Sequence, residues 1–73
     1  MKKTYNAIAD IIRKGACVKI KSDDFRFSEI SGLARIAANN GVIIQITVGD
    51  NINASEIADI AAVARQHVMF DYQ

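Results

Sequence analysis

A pattern that occurs three times limits this chain to few folds. Tyr5-x-x-Ile8-Ala9-x-Ile11-Ile12, Ile30-x-x-Leu33-Ala34-x-Ile36-Ala37 and Ile57-x-x-Ile60-Ala61-x-Val63-Ala64 share one design. Apolar residues at i, i+3, i+4 and i+7 lie on one face of a helix. A small residue, Ala9, Ala34 or Ala61, recurs inside each stripe and lets the helix lie close to whatever it packs on. The second and third units also share Ser-Glu just before the first apolar residue, as Ser28-Glu29 and Ser55-Glu56.

Each helical stretch is followed by a stop and an extended run. Gly15 and Gly41 stand where a helix C-terminus favours a left-handed residue, and His67 takes the matching place in the third unit. The runs are 16–21, 42–48 and 68–72, the middle one rich in β-branched residues. Helices are expected over 4–14, 27–39 and 54–66. A helix between successive strands makes a crossover, so the strands should be parallel. Right-handed crossovers between neighbouring strands put the helices on one side. The expected fold is therefore a two-layer α/β domain of three αβ repeats. Its three-stranded parallel sheet has order 1-2-3 with helices on one face, like a short solenoid. The rival arrangements put strand 1 in the centre or pair one strand antiparallel.

Composition narrows the function classes. With 73 residues, no proline and no low-complexity linker, the chain reads as one domain over 1–73. Hydrophobic residues make up 51%, which argues for a folded core. Nine Lys and Arg against eight Asp and Glu leave a net charge of +1, too little for a strong general attraction to nucleic acid or membranes. No apolar run reaches the length of a membrane span, and Asp10, Arg13 and Lys14 interrupt any leader-like segment. The single cysteine, Cys17, cannot form an internal disulfide, so a cytoplasmic location is expected.

Helix starts have local explanations. Asn53 with Glu56 reads as a capping box, Thr4 as the cap of the first helix, and Asp24 or Ser28 as that of the second. Chemistry is harder to find. His67 has no nucleophile tied to it by spacing, and Cys17 has only Lys19 beside it. Asp23, Asp24 and Asp50, with Asn51 and Asn53, fall in the loops after the first two strands, where open α/β folds place ligands. They match no calcium-loop pattern, and Gly49-Asp50-Asn51 is no phosphate loop. No catalytic residue, cofactor or metal is expected, and the chain does not read as an enzyme.

The remaining candidate is the sheet face without helices. Alternation turns Val18, Ile20, Ile44, Ile46, Phe70 and Tyr72 to the helices. The opposite face then carries three rows: Cys17–Ile43–Met69, Lys19–Gln45–Asp71 and Lys21–Thr47–Gln73. Parallel sheets are normally covered on both faces, so this surface and the open edge of the last strand read as contact sites. The expectation is a non-catalytic interaction or adaptor module that self-associates or binds a protein partner. The second reading is a small regulatory protein that touches nucleic acid through its basic first unit, Lys2, Lys3, Arg13, Lys14, Lys19 and Lys21.

Overall fold

The computed structural model describes residues 4–72. Three helices, α1 (Tyr5–Arg13), α2 (Phe27–Asn39) and α3 (Ala54–Ala64), alternate with three strands, β1 (Val18–Lys21), β2 (Ile44–Val48) and β3 (Val68–Tyr72). Short 3₁₀ turns, Ser22–Asp24 and Arg65–His67, follow β1 and α3. The sheet is parallel throughout, in the order β1-β2-β3. Three helices and one three-stranded parallel sheet form the α/β layout that the periodicity requires.

The termini of α1 and α2 show why they stop. The Gly15 N–H donates to the Ile12 carbonyl and the Ala16 N–H to that of Ile11. The same pair of bonds runs from Gly41 to Ala38 and from Val42 to Ala37. This arrangement needs a residue with positive φ, which Gly15 at 93° and Gly41 at 69° supply without a Cβ penalty. The third helix behaves differently. It ends at Ala64, and Arg65 takes φ 53° and ψ −120° in place of a glycine. His67, the residue aligned with the two glycines, lies in the 3₁₀ turn beyond. Its expected place as the capping residue of α3 is thus taken by Arg65.

At the N-termini, Thr4 accepts from the Ala7 N–H at 3.2 Å. Asn53 accepts from the Glu56 N–H at 2.9 Å while Glu56 accepts from the Asn53 N–H at 3.0 Å, a complete capping box. Neither Asp24 nor Ser28 caps α2. Arg26 holds the cap position, and Glu29 accepts from its backbone N–H at 2.9 Å. A guanidinium has no acceptor, so only this half of the box forms.

The core lies between the helix layer and one face of the sheet. Ile12, Ile30, Leu33, Ile44, Ile46 and Ile60 are fully buried. Burying each such side chain is worth about 1.5–3 kcal/mol, which makes this layer the main driving force for folding. Ala9 and Ala34 are buried as expected, but Ala61 is only half-buried. Phe25 and Phe27 plug the end of the core near the start of α2.

Candidate functional site

Strand register places the exposed face. Val18 pairs with Ile44 and Ile44 with Val68, so Lys19, Gln45 and Met69 form one row and Lys21, Thr47 and Asp71 the next. Between β1 and β2 the register is the one expected from alternation. On β3 it differs by two residues: Met69 stands beside Gln45 rather than Ile43, and Asp71 beside Thr47 rather than Gln45. The cause is the early end of α3 at Arg65, which returns the chain to the sheet sooner than the glycine-based alignment allowed. A two-residue offset keeps every side chain on its face, so the expected face is right and only its rows change. Gln73, assigned to the third row, lies outside the described residues. Cys17 and Ile43 precede the first paired residues of their strands.

The face is mixed in character. Cys17, Lys19, Lys21, Ile43, Met69 and Asp71 are exposed, while Gln45 and Thr47 are half-buried between their neighbours. Ile43 retains 40% and Met69 52% of its surface, two large apolar side chains on a face that no described element covers. Tyr72 shares the helix-facing side yet is 67% exposed, because it lies at the last position of the edge strand. Neighbouring strands lie about 4.8 Å apart, so Lys21 and Asp71 stand about 10 Å from each other across Thr47. The ion pair among the described residues is Arg13 to Asp10, at 3.6 Å on the outside of α1; Lys19, Lys21 and Asp71 form none with another described residue.

At the carboxyl ends of the strands the structure shows a tie between loops. Ser22, fully buried, accepts from the Gly49 N–H at 2.7 Å and donates to Asn51 Oδ1 at 2.8 Å. The Asn51 amide in turn donates to the carbonyls of Ser22 at 2.6 Å and Phe25 at 3.2 Å. The Ser22 hydroxyl and the Asn51 amide thus have partners for all their polar atoms, so the cluster holds the two loops together. Sequence reasoning counted Asn51 among possible cation ligands and passed over Ser22; a small hydroxyl directly after a strand, opposite an Asn after the next, was the available signal. Asn53 is likewise engaged in its capping box. No group of three or more His, Cys, Asp or Glu side chains that could hold a metal occurs among the described residues.

Two further features lie away from these loops. His67 Nδ1 lies 3.1 Å from the Val42 carbonyl oxygen, an acceptor, so this nitrogen carries the proton and ties the entry of β3 to that of β2. A hollow of about 370 Å³, open to solvent, is lined by Tyr5, Asn6, Ser28 and Glu29 where α1 and α2 begin. Glu29, its one carboxylate, is already bonded to the Arg26 backbone. No described helix is long and apolar enough to cross a membrane. No protein-family model matches this chain, nor does any curated protein or solved structure match it.

Proposed function

We propose that this chain is a small non-catalytic interaction module of the cytoplasm, built of three αβ units, whose working surface is the exposed sheet face. The observation that carries the reading is the exposure of Ile43 and Met69 on one side of a parallel sheet. Parallel sheets bury both faces almost without exception, and an apolar patch ringed by Lys19, Lys21 and Asp71 has the make-up of a contact surface. The exposed thiol of Cys17 suits a reducing compartment.

The test compares tagged wild-type protein with two variants, Met69→Asp on the sheet face and Arg35→Asp on α2, in capture from the native host. Loss of a bound protein, a second copy included, with Met69→Asp and its retention with Arg35→Asp supports the reading. Equal capture by both variants overturns it. So does retention of nucleic acid alone, weakened by salt, since that points to the basic residues instead.

A further inference from the structure

The exposed face is complementary to itself, and we propose that its occupant is a second copy of this chain, packed face to face about a two-fold axis parallel to the strands. The proposal rests on the reading of this face as a contact surface and adds the identity of the partner. Its argument is the placement of charge. Lys19 and Lys21 stand on the edge strand β1, and Asp71 stands on the opposite edge strand β3. Lys21 and Asp71 occupy the same row, on either side of Thr47.

Two sheets that pack face to face lie about 10 Å apart with strands aligned within about 30°. A two-fold axis in the plane between them has two simple orientations. With the axis across the strands, β1 covers β1 and β3 covers β3. Lysines then face lysines and Asp71 faces Asp71. With the axis along the strands, β1 of each copy covers β3 of the other at the same height. Lys21 then meets the other copy's aspartate at 71 twice per dimer, and the Lys19 stem lies over the methionine at 69. The central strand sits on the axis and meets itself, and its outward residues allow this. Ile43 is apolar, and Gln45 and Thr47 each carry both donor and acceptor, so a self-contact there involves no like charges. Like-charge contact costs more than an open pair gains, so the second orientation is selected.

The contact is small. Three strands of five residues at most span about 14 by 16 Å, well below the roughly 800 Å² per partner of a standard interface. Association is therefore weak and concentration-dependent.

Sedimentation equilibrium up to millimolar protein tests it with Lys21→Asp and Asp71→Lys. Each variant puts like charges across the axis and should dissociate at least about tenfold more readily than wild type. An equimolar mixture of the two restores both pairs and should associate about as tightly as wild type, which also shows that both are folded. A mixture no tighter than its components, or Lys21→Asp associating as well as wild type, overturns the proposal. A wild-type chain that stays monomeric overturns it as well. If capture of a different protein still depends on Met69 in that case, the contact-surface reading survives; if it does not, both fall.

Discussion

Removal of the Ser22 hydroxyl, in Ser22→Ala, should destabilise the protein by about 2–3 kcal/mol. The side chain is fully buried and makes two short bonds, accepting from the Gly49 N–H at 2.7 Å and donating to Asn51 Oδ1 at 2.8 Å. Alanine leaves the half-buried Gly49 donor without its acceptor, which costs about 1–2 kcal/mol, the lower part of the usual range because the group is not fully buried. The exposed Asn51 recovers water at its oxygen, so that bond contributes only about 1 kcal/mol. Against a total stability of roughly 4–11 kcal/mol for a chain this size, the loss is large. It corresponds to a fall in melting temperature of about 10–20 °C. Asn51→Ala removes the same bond together with those to the Ser22 and Phe25 carbonyls, and should cost about 2 kcal/mol. The double variant loses the shared bond once, so its deficit should fall short of the sum by about 1 kcal/mol. Urea unfolding followed by circular dichroism on all four proteins measures each quantity. A Ser22→Ala protein within about 0.5 kcal/mol of wild type, or strict additivity in the double variant, would refute the reasoning.

Arg65→Gly should stabilise the protein by about 1 kcal/mol, because φ 53° with ψ −120° strains a side-chain-bearing residue more than glycine's added freedom costs; a lower urea midpoint for the variant would contradict this. Gly32→Ala gains about 1 kcal/mol of helix propensity in α2, but its Cβ would stand 2.9 Å from the Tyr5 hydroxyl oxygen. The substitution should therefore stabilise a Tyr5→Phe background more than wild type, where the ring must move, and equal effects in the two backgrounds would show that the hydroxyl does not limit the site.

Much of this fold was legible because its signals are local and repeated. Apolar spacing located the helices, and Gly15 and Gly41 announced the ends of α1 and α2. Alternation separated the core side of the sheet, with Ile20, Ile44 and Ile46, from the side of Lys19, Gln45 and Thr47. What escaped depends on single backbone choices. Nothing in Arg65 advertises a left-handed residue, and so β3, though its residues 68–72 were located, was paired with β2 two residues out of register. Arg26 holds the N-cap of α2 through its backbone alone, which side-chain preference cannot signal. Ser22 looked like loop material because its burial depends on Asn51, far away along the chain.

Among the bonds outside the ladder, that of Ser22 with Asn51 and that of His67 with Val42 have a joint effect on shear. A period-two pattern is indifferent to a strand that slides by two residues, since inside stays inside and outside stays outside. The folding chain meets that degeneracy as much as any reader of it does. One bond fastens the finish of β1 to the finish of β2, and the other fastens the outset of β2 to the outset of β3. Together they brace the sheet diagonally, so that slippage which the apolar layer alone would tolerate breaks a bond at one corner or the other.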